Sequence, residues 1–331
     1  LALTFVAAEP LTAENKSMSV HVASADFALN LLREAAEPSD SYVLSPFSLG
    51  CALSIVHDGA RGRTQEELTK ALLGDSNSAS DVSAHYSQLC KLLGSASSGD
   101  VVASVANRFF LDNKFDLKDA YASHIEKDYS AGAEKLDFGA AEAAANHVNS
   151  FVSSKTGGLI DKLLTPDAFV DAVAVLINAI YFKGKWANEF NVDSTRDDTF
   201  HGLKGERQIP FMFARELQAA YHFGEDTKVL SLPYKDTSYS LCVFLPNDAS
   251  SFVDWRASLT GEKLLGLIGQ LSKGKVNVKL PKFKTESTMD GTTVLQKLGI
   301  TDIFDPSCDL TEISDDDRLY VSQVVHKAVI D

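Results

Sequence analysis

Ala172-Val-Ala-Val-Leu-Ile-Asn-Ala-Ile-Tyr-Phe182 is apolar almost without a break, and Asn178 is the one polar side chain inside it. A run rich in β-branched and aromatic residues suits a pleated surface, and the lack of polar alternation means that both of its faces are covered. The stretch therefore predicts a strand in the middle of a large sheet. A lone amide in such a place needs hydrogen-bond partners from neighbouring elements.

Before this strand the signals are helical. Phe27, Ala28, Leu31, Leu32 and Ala35 form one apolar stripe at helical spacing. Ser45-Pro46 marks a helix start, because Ser caps free N–H groups and Pro fits the first turn. A largely buried helix over 47–57 follows. Thr64-Gln-Glu-Glu67 reads as a capping box and Gly74 as a left-handed stop, predicting a helix over 64–73. After 182 strands take over: 228–233 and 239–245, joined as a hairpin through Lys235-Asp-Thr, then 276–283 and 319–330, with a helix over 290–298 ending at Gly299. Helices followed by strands indicate an α+β domain. The Ser/Gly-rich pieces 75–80 and 94–100 are short enough for surface loops, and Gly157, Gly158 and Gly184 read as backbone punctuation.

With 331 residues the chain can bury roughly three quarters of its surface, so it has no need of staples. No stretch of apolar residues is long enough to cross a membrane as a helix. A net charge of −14 repels phosphate backbones and anionic lipid, which excludes nucleic acid and membrane surfaces as expected partners. The most basic segment, Lys273-Gly-Lys275-Val-Asn-Val-Lys279-Leu-Pro-Lys282-Phe-Lys284, alternates charged with apolar residues, as a strand with one wet face does. Cys51, Cys90, Cys242 and Cys308 show no metal-type spacing, and Cys51 and Cys242 read as buried thiols. Residues 1–8 look like the end of a signal h-region with a cleavage site after Ala8, so residues 1–23 are expected to be an N-terminal extension and 24–331 the folded domain.

Several segments in this order resemble the serpin family. Leu44-Ser-Pro-Phe-Ser-Leu-Gly-Cys-Ala-Leu-Ser and Asp58-Gly-Ala-Arg-Gly-Arg-Thr-Gln-Glu-Glu-Leu68 are similar to the family's second helix and the segment after it. Asn178-Ala-Ile-Tyr-Phe-Lys-Gly-Lys-Trp186 is similar to its third central strand. Ala106-Asn-Arg-Phe-Phe, Leu232-Pro-Tyr-Lys, Leu280-Pro-Lys-Phe, Leu298-Gly-Ile, Asp302-Ile-Phe and Tyr320-Val-Ser-Gln-Val-Val-His-Lys-Ala extend the likeness to nearly the whole chain.

The resemblance implies a serpin fold: a large central sheet, two further sheets and about eight or nine helices. It implies a protease inhibitor of the suicide-substrate type, whose cleaved loop inserts as a new strand in the central sheet and distorts an acylated serine endopeptidase, with cysteine proteases as a second target class. It places Ser45, Ser48, Asn178 and His326 in the shutter, where the sheet parts, and Trp186 in the breach, where insertion begins. The reactive loop and the last strands are expected beyond Asp331, so the chain as written is expected not to inhibit by itself. The alternative on the same fold is a non-inhibitory carrier, chaperone or storage protein. A secreted, extracellular monomer is expected, with a cytoplasmic form as the alternative. The helix near 82–93 carries only Lys91 and His85 as basic groups, which speaks against a glycosaminoglycan site there. No G-x-S-x-G elbow, P-loop, dinucleotide or zinc-protease signature occurs, so no catalytic residue, metal or cofactor is expected and the chain is not read as an enzyme.

Overall fold

The computed structural model describes residues 2–6, 15–95, 100–129 and 131–330. The helices are α1 (Asn15–Ala35), α2 (Pro46–Gly59), α3 (Gly62–Leu73), α4 (Ala79–Ser95), α5 (Asp119–Tyr129), α6 (Ala141–Lys155), α7 (Phe252–Ser258), α8 (Gly261–Gly269) and α9 (Gly291–Lys297). The Ser45 hydroxyl accepts from the Ser48 N–H at 3.2 Å and Pro46 fills the first position of α2, as its sequence predicts. That helix is apolar on all sides and almost wholly buried. α3 starts differently from expectation. Its N-cap is Arg61, without a side-chain cap, and Thr64 lies inside the first turn. The Thr64 hydroxyl instead donates to Asp302 at 2.5 Å and accepts from the Asp309 N–H at 2.8 Å, while Glu67 accepts from the Thr301 and Asp302 N–H groups. Distant backbone donors outcompete the helix's own, so the capping box does not form. Gly74 does end α3, at φ 75°.

Where α2 meets α4 and α5, the Asp58 carboxylate is 5% exposed and accepts four hydrogen bonds. Its donors are His57 Nδ1 at 3.1 Å, Ser83 Oγ at 2.5 Å, His124 Nε2 at 2.8 Å and the Tyr129 hydroxyl at 2.8 Å. Burial alone would raise the Asp58 pKa, but these donors together bring it down to about 2. Cys51 on α2 and Cys90 on α4 form a disulfide, which corrects the reading of Cys51 as a buried thiol. Cys242 and Cys308 are free and buried. The disulfide partner lies 39 residues away, on a helix whose docking only the fold determines.

The strands are β1 (Ala2–Val6), β2 (Val101–Asp112), β3 (Gly132–Leu136), β4 (Ala174–Gly184), β5 (Arg196–Gly202), β6 (Gly205–Phe223), β7 (Thr227–Pro233), β8 (Tyr239–Pro246), β9 (Ser272–Pro281), β10 (Thr285–Asp290) and β11 (Gln323–Ile330). A five-stranded sheet has the order β10-β11-β4-β2-β3, with the predicted apolar strand at its centre. Alternate residues of β4 face opposite layers: Val175, Ile177, Ala179 and Tyr181 pack with α6, whereas Ala174 and Leu176 pack in the cluster that holds α2. Asn178 belongs to the second set, which aims its amide at the start of α2. β11 begins at Gln323, later than the 319 expected, because Val321 and Ser322 donate to the Ile303 and Ala174 carbonyls on the way into the strand.

The other strands form a six-stranded assembly, β1-β8-β7-β6-β5, with β9 paired to β6. The two further sheets expected from the resemblance are continuous through β6, whose register against β9 shifts between Ala214 and Leu217 at a bulge holding Glu216 at φ 48°. β9 alternates exposed lysines with inward Val278 and Leu280, as expected of a strand with one wet face. At the amino end Ala2–Val6 pairs with β8, and α1 runs from Asn15 through the start of the expected domain at residue 24. The cleavage site after Ala8 lies outside the described residues.

Candidate functional site

β11 and β4 are parallel neighbours in register from Gln323↔Val175 to Ile330↔Phe182. In the middle of that seam His326 stands directly beside Asn178. His326 is 1% exposed and Asn178 wholly buried. His326 Nε2 lies 3.0 Å from the Ser45 N–H, which makes Nε2 an acceptor. The imidazole proton therefore sits on Nδ1, which donates to Asn178 Oδ1. The Asn178 amide nitrogen donates to Ser48 Oγ at 2.6 Å and the Ser48 carbonyl at 2.9 Å, and it also contacts Asn107 Oδ1 on β2. One chain of contacts thus joins β11, β4, β2 and the first turn of α2.

All four residues expected in the shutter, Ser45, Ser48, Asn178 and His326, meet here. Asn107 is the participant that sequence reading did not single out. Its signal was present, since it is a polar residue within the otherwise largely apolar Val105-Ala-Asn-Arg-Phe-Phe-Leu111. Burial pushes the His326 pKa down to about 4, with the Asn178 contact pulling weakly the other way. The imidazole is neutral at pH 7, as its acceptor role toward Ser45 requires.

Trp186, the expected breach residue, lies beyond the end of β4 and is separate from the Asn178 cluster. Its indole stacks on Tyr234 at 4.7 Å and 11°, and it forms an isolated bridge with that residue. Phe190 and Phe182 complete an aromatic group that ties the end of β4 to β7 and β8. Gly184 is required by this packing, because a Cβ there would lie 2.5 Å from the Tyr234 ring. Gly157 and Gly158 have φ of 62° and 79°, turns in which glycine is favoured. Among the described residues no group of three or more His, Cys, Asp or Glu is placed to hold a metal, and no helix is long and apolar enough to cross a membrane.

The family profile described as Serpin (serine protease inhibitor) matches residues 22–331. Serpin B6 of Macaca fascicularis is 33% identical over 319 residues, covering 93% of this chain and 84% of that protein. Iripin-2 of Ixodes ricinus is 34% identical over 316 residues, covering 92% and 78%. Among solved structures, the thermophilic serpin Tengpin in its native state gives a TM-score of 0.85 at 29% identity, covering 96% of this chain and 81% of that one. Uncleaved ovalbumin gives 0.85 at 26% identity, covering 94% and 85%. A large mixed sheet whose central seam is closed by buried polar groups, matched along nearly its whole length by this profile and these relatives, places the chain in the serpin family.

Proposed function

We propose that the protein is a protease inhibitor of the suicide-substrate type, acting on a serine endopeptidase by inserting a cleaved loop between β4 and β11. The observation that carries this reading is the His326–Asn178–Ser48 contact set across a seam of two parallel strands. A segment that follows β11 and turns back on itself runs antiparallel to β11, and therefore to β4 as well. Its insertion would replace one slanted parallel ladder by two antiparallel ones, which pair more favourably. The polar contacts must be exchanged for the seam to open, and buried polar groups are costly to leave unpaired, so they set a barrier against opening before cleavage.

In this reading Ser45, Ser48, Asn178 and His326 form the gate, Trp186 marks the end of the seam where a guest strand enters, and the inserting strand is the cleaved bait loop. The Cys51–Cys90 disulfide supports a secreted protein, since such bonds persist in oxidising compartments. The protein is read as a monomer when free. The test is to mix the full-length protein with a panel of trypsin-like and chymotrypsin-like proteases and look for an SDS-resistant adduct. Clean cleavage without an adduct across the panel would sink the inhibitory reading.

A further inference from the structure

α1 and α8 cross closely, with Gly261 at the contact, where a Cβ would lie 2.2 Å from the Val22 carbonyl oxygen. One face of α8 carries Leu264 and Leu267 into the core, where they pack with Leu29, Val229 and Phe244. Its opposite face borders an open groove of about 800 Å³, whose apolar floor includes Val22, Ala23, Leu73 and Leu265. Every residue lining the groove comes from α1, α3, α8 or the α3–α4 connection, and none from a strand. The volume suits a small molecule.

Glu262, Leu265, Gly266 and Gly269 follow helical spacing along the groove face of α8. Neither glycine has a positive φ, and at either one a Cβ would meet nothing within 4 Å. Glycine weakens a helix relative to alanine, so two glycines with neither a backbone nor a packing requirement are accounted for by the space they leave open. The groove is also acidic. Asp75 is paired with Lys70 at 3.1 Å, but Asp26 and Glu262 have no cationic partner among the described residues, and no Lys, Arg or His lines the groove. Asp26 Oδ1 accepts from the Gly261 N–H at 2.6 Å, which brings both carboxylates to the start of α8. A helix end carries about half a positive charge, so two carboxylates there leave this end of the groove negative.

We propose that this groove binds a small organic cation, with an ammonium group received by Asp26 and Glu262 and an apolar body laid along Val22, Leu73 and Leu265 in the space beside Gly266 and Gly269. An anionic amphiphile of the same shape would be repelled by the two carboxylates. A neutral one would cover them without replacing their hydration. A bare metal ion finds no group of three or more His, Cys, Asp or Glu among the described residues. The inference is independent of the seam between β4 and β11 and of the inhibitory reading.

Isothermal titration calorimetry of the whole chain at low salt tests this, with tryptamine and octylamine as probes and indole-3-propionate and 3-ethylindole as anionic and neutral analogues. At least one amine is expected to bind, and both analogues to bind more weakly than tryptamine or not at all. Glu262→Gln is expected to weaken amine binding about fivefold, the size of one exposed ion pair. Gly266→Phe fills the groove and is expected to abolish binding, whereas Glu142→Gln on α6 leaves it unchanged. Gly266 and Glu262 are both exposed, and a melting temperature no lower than the parent's establishes that the variants fold. Binding of neither amine, equal binding of tryptamine and either analogue, or amine binding unchanged in Gly266→Phe or in Glu262→Gln overturns the proposal.

Discussion

His326 on β11 and Asn178 on β4 are direct neighbours in a parallel register and share a hydrogen bond, although 148 residues separate them in sequence. Each also reaches the start of α2, His326 through the Ser45 N–H and Asn178 through Ser48. The seam is thus tied both across itself and to the helix beneath it. Replacing His326 by Ala leaves the Asn178 carbonyl and the Ser45 N–H without this partner, at a cost of about 1–3 kcal/mol for each buried group left unpaired. His326→Ala is expected to polymerise faster on mild heating, read by native gels. A rate equal to the parent's would remove the gating role.

The same imidazole makes stability depend on pH. Its pKa is about 4 in the folded protein and near 6.5 when unfolded, so between these values the unfolded chain binds the extra proton. The contribution is fully present above pH 6.5 and is lost as pH falls toward 4. It amounts to about 3 kcal/mol at most, taking 1.36 kcal/mol per pH unit. His85, held down to about 4 first by burial and then by the nearby His21, titrates in the same window. Urea unfolding from pH 7 to 4 should show a shallower loss of stability in His326→Gln than in the parent, with the residual slope including His85 and His21, whose pKa burial also lowers.

Asp58 contributes in a lower window. Its carboxyl is depressed to about 2 from 3.8, so its stabilisation is present above pH 3.8 and is lost as pH falls toward 2. The linkage is worth about 2 kcal/mol. Asp58→Asn is expected to lower the melting temperature at pH 7 and to flatten the stability profile below pH 4, measured by calorimetry. An unchanged profile would mean that the four donors do not hold the charge.

Gly184→Ala tests the aromatic group around Trp186. The added methyl meets the Tyr234 ring, which must move and disturb the indole stacked on it. A destabilisation of about 1–3 kcal/mol is expected, the range for overpacked sites. A changed Trp186 fluorescence maximum in a Trp255→Phe background is the direct readout.

The cysteines predict a simple count. The chain holds four, of which Cys51 and Cys90 are paired. Denatured without reductant, the protein should react with two equivalents of maleimide, at Cys242 and Cys308, and with four after reduction. Four equivalents before reduction would disprove the pairing.

From the sequence alone, 172–182 was legible as a buried central strand, Ser45-Pro46 as a helix start, Gly74 as a stop and 273–284 as a half-wet strand, because each depends on periodicity or on backbone chemistry within a few residues. The need of Asn178 for a partner was legible for the same reason, as was the family to which the ordered segments point. Only the tertiary structure decided who the partners are. Thr64 and Glu67 abandon a local capping box for backbone groups near 301–309, Asn107 joins the seam, Asp58 gathers donors from three helices, and Cys51 finds Cys90. A buried polar group takes the partner that packing delivers to it, and packing is set by contacts between elements far apart in the chain.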